Sequence, residues 1–230
     1  MKILCIDTAT EACSAALLLD DTRDGIFEIC PQQQSQRILP MIDELLTRNN
    51  IKLSQLDAIA YGRGPGSFTG VRIASSTIQG LALGSDLPVL EISTLAAMAQ
   101  ENFERFGVKQ TLALIDARMS EVYCGDYQIN ENGVACSVAD ESVLPPADVK
   151  AILAKHRSEE SYVGTGFHAY SQELGIQLQS DALAVNYPNA EFMLSLALSQ
   201  YKSHQRVSVE NVQPVYLRDK VTWKKLPNRE

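Results

Sequence analysis

The chain of 230 residues is 45% hydrophobic and 21% charged, which is typical of a globular protein and excludes a disordered or fibrous one. Its net charge of −8 argues against a broad electrostatic grip on nucleic acid. Five cysteines without a C-x-x-C pair, and apolar runs too short to span a bilayer, lead us to expect a reduced, cytoplasmic protein without a membrane segment.

The first half of the chain has the pattern of a mixed α/β sheet. Alternating apolar and polar residues predict short strands, and apolar stripes repeating every three to four residues predict helices. Pro40 lies in the first helical stretch, so this helix either begins near Leu39 or bends there. The predicted elements are strands at 3–6, 14–19 and 26–30, a helix around 38–46, a strand at 56–61, a helix at 70–83, a strand at 88–92 and a helix at 94–105.

The second half repeats this order of elements. A strand at 111–116 ends on Asp116 as the first strand ends on Asp7, and a polar turn and a returning strand follow each Asp. We therefore predict an α/β protein with the duplicated actin-like/sugar-kinase/Hsp70 fold, made of two βββαβα-type halves of which the second is reduced. The halves are residues 1–106 and 107–230. The remaining predicted elements are strands at 121–129, 135–144 and 161–166 and helices at 146–156 and 190–201.

The two opening turns of this fold grip nucleotide phosphates, and they require glycine because a Cβ keeps backbone N–H groups away from an anion. Neither turn 7–10 nor turn 116–119 contains glycine. The first turn could still position a metal-bound water, but the sequence favours a scaffold whose phosphate grip is weakened or lost. A vestigial nucleotide or anion site would comprise Asp7, Thr8, Thr10, Gly64, Gly66, Ser67 and Asp116.

A glycine-rich loop from Gly62 to Gly70 follows a predicted strand and opens a predicted helix. Its spacing matches neither the G-x-G-x-x-G fingerprint nor the P-loop. Two interpretations stay open. The helix N-terminus binds an anion, or the loop is a tight turn in which Thr69 caps the helix.

The helix after this loop is rich in small residues, and glycine within a helix costs about 1 kcal/mol relative to alanine. That cost is tolerated where another backbone must approach closely. Ile73, Thr77 and Leu81 share one face of the helix. The partner of this face is either the chain's own sheet or a helix of another protein, and both can hold for different faces.

The sequence predicts neither a metal site nor a cofactor. His156, His168 and His204 are isolated, and no H-x-x-x-H or H-E-x-x-H pattern occurs. The basic C-terminus allows two interpretations, a solvated tail or an RNA contact through its aromatic residue and its positive charges. Its residues are Arg218, Lys220, Trp223, Lys224, Lys225 and Arg229.

Five segments in the same order resemble the bacterial TsaB (YeaZ) family. The most specific is the loop Gly-Arg-Gly-Pro-Gly-Ser-Phe-Thr-Gly-Val-Arg-Ile at residues 62–73. The other four are residues 6–10, 35–40, 116–123 and 214–218. Together these segments span nearly the whole chain.

The resemblance implies a non-catalytic subunit in the biosynthesis of threonylcarbamoyladenosine, next to the anticodon of tRNA. Such a subunit docks on a TsaD-type transferase through helices matching residues 35–48 and 70–84, and it helps to recruit a TsaE-type ATPase. It would meet tRNA only through the complex and form a homodimer when alone. Gln33, Gln34 and Arg37 stand where the transferase has its metal histidines, so no ligand carries over. We expect the partner face to comprise Arg37, Ile38, Met41, Leu45, Ile73, Thr77, Gly80 and Leu81.

Two alternatives from other classes remain. A kinase or ATPase would bind magnesium and nucleotide in the cleft and would lose that binding when Asp7 is replaced. A peptidase would need a nucleophile triad or paired histidines, and the sequence shows no such pattern.

Overall fold

The first sheet forms the N-terminal half of the protein. A computed structural model of the chain describes residues 1–156, 158–179 and 183–218. The strand order is β3-β2-β1-β4-β5, in which β1 to β3 form an antiparallel meander and β1, β4 and β5 run parallel. The elements are β1 (Lys2–Asp7), β2 (Ala12–Leu19), β3 (Thr22–Ile29), α1 (Gln34–Arg48), β4 (Ala58–Gly64), α2 (Phe68–Ser85), β5 (Val89–Ser93) and α3 (Thr94–Phe106).

The two faces of this sheet enter different cores because neighbouring residues of a strand point to opposite sides. Leu4 and Ile6 of β1 pack with α1 and α2, whereas Ile3 and Cys5 enter the core that contains α3. Pro40 lies inside α1, which begins before it at Gln34. The alternative in which the helix begins near Leu39 is therefore wrong.

The second sheet has the order β10-β6-β7-β8, and β9 also pairs with β7. Residues 135–144 were predicted as one strand, but they form two short strands because a turn interrupts them. The predicted helix at 146–156 ends at Leu153. The elements are β6 (Gln110–Arg118), β7 (Glu121–Ile129), β8 (Ala135–Ser137), β9 (Ser142–Leu144), α4 (Pro146–Leu153), β10 (Tyr162–Val163), α5 (Gly166–Ala169), α6 (Ser171–Leu174) and α7 (Ala190–Lys202).

This architecture confirms the predicted fold class. Each sheet opens with an antiparallel pair and continues with a parallel neighbour, β4 beside β1 and the two-residue β10 beside β6. The boundary between the halves stays a prediction. No described helix combines the length and the hydrophobicity that a membrane crossing requires.

The C-terminal segment 207–218 returns to the first half. Val207 bridges to β5, and the amide of Val215 donates to the carbonyl of Arg63 at 2.8 Å. Tyr61 donates its hydroxyl to the carbonyl of Gln213 at 3.0 Å. The segment then reaches the second half, where the Arg218 guanidinium pairs with a carboxylate at the start of β7.

Candidate functional site

The turn after β1 is buried rather than open to the cleft between the halves. The Ala9 amide donates to Asp7 Oδ1 at 2.9 Å, whereas Asp7 Oδ2 has no hydrogen-bond partner among the described residues. Gly62 of β4 lies directly against this carboxylate, so that even a methyl group at position 62 would overlap it. Burial raises the pKa of Asp7 to about 7, although the Ala9 amide and the nearby Thr94 hydroxyl lower it.

The glycine-rich loop packs against the backbone of this turn. The amide of Ser67 donates to the carbonyl of Ala9 at 2.7 Å, and Thr8 donates its hydroxyl to the carbonyl of Gly70 at 2.7 Å. A Cβ at Gly66 would overlap Ala9, and one at Gly70 would overlap the Thr8 carbonyl. These glycines therefore allow two backbones to approach closely.

The same loop also caps α2. The hydroxyl of Ser67 accepts from the amide of Gly70, and the carbonyl of Ser67 accepts from the amide of Val71. The prediction that Thr69 is the cap is wrong, since Ser67 occupies the N-cap position and Thr69 lies in the first turn of the helix. Two amides that could have bound an anion are thus satisfied within the chain.

Ion pairs stabilise the turn at residues 116–119, which lies at the end of β6 in the second half. Arg118 lies 3.0 Å from Asp116 Oδ2 and 3.1 Å from Glu11 Oε1, so it links the two turns across the cleft. Tyr170 donates its hydroxyl to Asp116 Oδ1 at 2.9 Å. Arg118 and the two residues after it all have positive φ, which places this turn in an uncommon left-handed conformation.

The other residues of the predicted vestigial site are also engaged within the chain. Thr10 accepts from the Ala12 amide at 3.3 Å, and its carbonyl accepts from the Gln34 side chain at 2.7 Å. Gly64 has a φ of 98°, a conformation that favours glycine, and it packs beside Val71. Among the described residues, no three His, Cys, Asp or Glu side chains are arranged to hold a metal ion. The prediction that the cleft lacks a phosphate grip stays a prediction, but every residue named for it has a structural role.

The predicted partner face is partly wrong. Ile38, Met41 and Leu45 are 0–1% exposed and belong to the core of the first half, since the apolar stripe of α1 packs on the sheet. Arg37 forms a two-point ion pair with Glu28 of β3. Ile38, Met41 and Leu45 therefore serve the chain's own fold, whereas the place of Arg37 on the partner face stays a prediction, since its side chain is 37% exposed.

The α2 part of the predicted face remains accessible. Ile73, Thr77 and Leu81 are half-buried, and Gly80 is exposed, with open space where a Cβ would stand. A groove of about 410 Å³ runs between α1 and α2. We call the residues that border and extend it the α1–α2 face: Leu39, Phe68, Arg72, Ile73, Ser76, Thr77, Gly80 and Leu83.

Three large apolar side chains of the α1–α2 face are exposed, namely Leu39 at 54%, Phe68 at 58% and Leu83 at 77%. The sequence prediction omitted all three. Leu39 adjoins the buried stripe of α1, and Leu83 follows Ile73, Thr77 and Gly80 at helical spacing, so periodicity could have identified both.

One end of the α1–α2 face carries a cation stacked between two aromatic rings. The Arg72 guanidinium lies 3.3 Å from the centre of the Phe68 ring, and its Nε donates to the Tyr216 hydroxyl at 2.8 Å. The rings of Phe68 and Tyr216 are 6.0 Å apart. The C-terminal segment thus fixes this end of the groove. The remaining basic residues of the tail lie outside the described residues.

Comparison with known proteins agrees with this architecture. Residues 25–226 match the family model described as TsaD, tRNA N6-adenosine threonylcarbamoyltransferase. The tRNA threonylcarbamoyladenosine biosynthesis protein TsaB of Escherichia coli is 47% identical over the full length of both chains. The chain belongs to the TsaB family. The TsaB protein of Haemophilus influenzae is 44% identical over 100% of this chain and 99% of its own.

A solved structure shares the fold. YeaZ from Pseudomonas aeruginosa is 41% identical, with a TM-score of 0.83 over 94% of this chain and 99% of its own. The resemblance drawn from the five sequence segments is therefore confirmed.

Proposed function

We propose that the chain acts in the biosynthesis of threonylcarbamoyladenosine on tRNA as a non-catalytic subunit that docks on a TsaD-type transferase. The names of its full-length relatives support the pathway. The exposed apolar α1–α2 face carries the proposal of docking, because side chains as large as Leu83 are seldom left open in a row unless a partner covers them.

The closed turns support a non-catalytic role. Asp7 is sealed behind Gly62, and the glycine-rich loop fills the space beside the first turn. Arg118 occupies the space between the two turns with its own ion pairs. A nucleotide phosphate would have to displace these contacts, and its own negative charge would meet the carboxylates of Glu11 and Asp116.

The same face serves two assemblies in this proposal. Without the transferase, two copies of the chain form a homodimer in which their α1–α2 faces pack against each other, because a twofold interface buries the same surface on both subunits. With the transferase, the complex recruits a TsaE-type ATPase, and tRNA is met only through the assembled complex. The protein acts in the cytoplasm.

Gly80→Glu tests the docking surface. The new side chain has open space in the free chain, so folding is unaffected, but its charge would be buried in the interface. We expect co-purification with the transferase to be lost. Ala151→Glu, on the exposed side of α4, is the control with the same change in charge and should co-purify normally.

Circular dichroism and thermal unfolding establish that both variants fold. Retention of the complex by Gly80→Glu at wild-type strength contradicts the proposed surface. Loss of the complex with both variants indicates a general charge effect and contradicts it as well.

A further inference from the structure

The C-terminal segment 207–218 connects the two halves of the protein, and we call it the strap. Val207 bridges to β5, and the carbonyl of Val212 accepts from the Gln79 side chain of α2 at 3.0 Å. Over the described residues 207–218, the strap contains only one short helical turn, Val209–Asn211, and no strand. Because it lacks regular structure of its own, its contacts with the two halves determine its path.

One end of the strap belongs to the α1–α2 face. Tyr216 is 46% exposed, its hydroxyl accepts from Arg72 Nε at 2.8 Å, and its ring lies 6.0 Å from that of Phe68. Phe68 and Arg72 both lie near the start of α2. A change in the packing of these two side chains therefore acts directly on Tyr216.

The other end of the strap clamps the turn between β6 and β7. The side chain of Arg218 is only 16% exposed, and its Nε donates to Glu121 Oε2 at 2.9 Å. Its Nη2 donates to the carbonyl of Arg118 at 3.3 Å, and its Nη1 lies 3.6 Å from the sulfur of Met119. One guanidinium thus contacts the backbone and a side chain of the turn, and also the first residue of β7.

This turn has an unfavourable backbone conformation. The φ angle is 63° at Arg118, 57° at Met119 and 60° at Ser120, and none of the three residues is glycine. We call residues 118–120 the left-handed turn. A left-handed backbone costs free energy when the residue carries a Cβ, and it persists only where the surrounding structure imposes it. Arg218 supplies such contacts, and the turn that it holds places Arg118 at 3.1 Å from Glu11 across the cleft.

We propose that the strap couples the start of α2, on the α1–α2 face, to the left-handed turn, with Arg218 as the positioning residue that holds this turn. Tyr216 and Arg218 are only two residues apart, so a shift of the Tyr216 ring moves the guanidinium. Release of the guanidinium lets the turn relax, and the ion pair between Arg118 and Glu11 is then lost from the cleft. The use of this coupling in docking rests on the proposed function, whereas the coupling itself belongs to the free chain.

Hydrogen exchange of the free, full-length chain tests the coupling. The reporter is the Arg118 amide, which donates to Asp116 Oδ1 at 2.8 Å and whose exchange is followed by NMR. Arg218→Gln removes the clamp, and we expect this amide to exchange about tenfold faster or more. Arg72→Gln changes the chain only at the far end of the strap, beside Tyr216, and we expect a smaller increase of about threefold in the same amide.

Leu39→Ala is the matched control, since it also alters an exposed side chain of the α1–α2 face but lies on α1, across the groove from Arg72. We expect it to leave the exchange of the Arg118 amide unchanged. Arg218→Lys keeps the charge but not the planar guanidinium that reaches both Glu121 and the turn, and it provides a second variant if Arg218→Gln unfolds.

Three results would overturn the proposal. Unchanged exchange in both Arg218 variants would mean that Arg218 does not hold the turn. Faster exchange in these variants but not in Arg72→Gln would mean that the clamp is local and the strap transmits nothing. An equal increase in Leu39→Ala would mean that the effect comes from the α1–α2 face or its homodimer rather than from the strap. Because no partner is present in this experiment, a failure of the proposed docking would leave its result unchanged.

Discussion

Burial of the Asp7 carboxylate makes the stability of this protein depend on pH in a specific direction. The pKa of Asp7 rises from 3.8 to about 7 on folding, so the folded chain binds the proton more tightly than the unfolded chain. Folding is therefore penalised increasingly as pH rises above 3.8, and the penalty levels off above pH 7. A pKa difference of about 3, at about 1.36 kcal/mol per pH unit, corresponds to a penalty of about 4 kcal/mol at pH 8.

Asp7→Asn removes this penalty while keeping an acceptor for the Ala9 amide. We expect the variant to exceed the wild type in free energy of unfolding by as much as about 4 kcal/mol at pH 8 and to match it near pH 4. Urea unfolding at both pH values measures the difference. Asp43→Asn, at an exposed position of α1, should unfold like the wild type throughout.

A stabilisation by Asp7→Asn that does not change with pH, or a loss of stability at pH 8, would refute this reasoning. Either result would mean that the Asp7 carboxylate is solvated or paired in solution. The carboxylate would then be open to the cleft rather than sealed behind Gly62.

The remaining predictions concern the loop and the cleft. Gly70→Ala should lower the free energy of unfolding by about 2–4 kcal/mol because the new Cβ would overlap the Thr8 carbonyl. Gly84→Ala lies in the same helix with open space around it and should raise the free energy of unfolding by up to about 1 kcal/mol. Thermal unfolding compares the two variants, and equal effects would contradict the close approach of the two backbones at Gly70. Calorimetry of the chain alone with magnesium and ATP should show no binding, and binding that is lost on Asp7→Ala would support the kinase or ATPase alternative instead.

The order of the elements could be predicted from sequence because period-two and helical patterns are local. Strand β1 and helices α2 and α3 lie within two residues of their predicted positions, but β3 begins at Thr22 rather than Ile26 and α1 begins at Gln34 rather than near Ile38. The strand predicted at 135–144 was wrong because residues 138–141 separate β8 from β9, although Val138 and Ala139 at the start of this segment are still apolar. A hydrophobic pattern shows which residues are apolar, but it does not show where the chain turns.

The candidate site was harder to predict because an apolar stripe does not reveal what it packs against. Ile38, Met41 and Leu45 form such a stripe, and only the position of the sheet shows that they lie in the chain's own core. The Arg72 stack was beyond sequence reasoning, since Tyr216 lies far along the chain. The absence of glycine from the two turns could be read directly from the sequence, and the weakened phosphate grip that it predicts stays a prediction.

The most direct test of the account is reconstituted tRNA modification. The purified transferase and ATPase are assayed without this chain, with the wild-type chain, with Asp7→Asn and with Gly80→Glu, and threonylcarbamoyladenosine is measured by mass spectrometry. The account predicts product with the wild type and Asp7→Asn only. Full product without the chain or with Gly80→Glu, or its loss with a folded Asp7→Asn, would contradict the claim that this protein acts by docking.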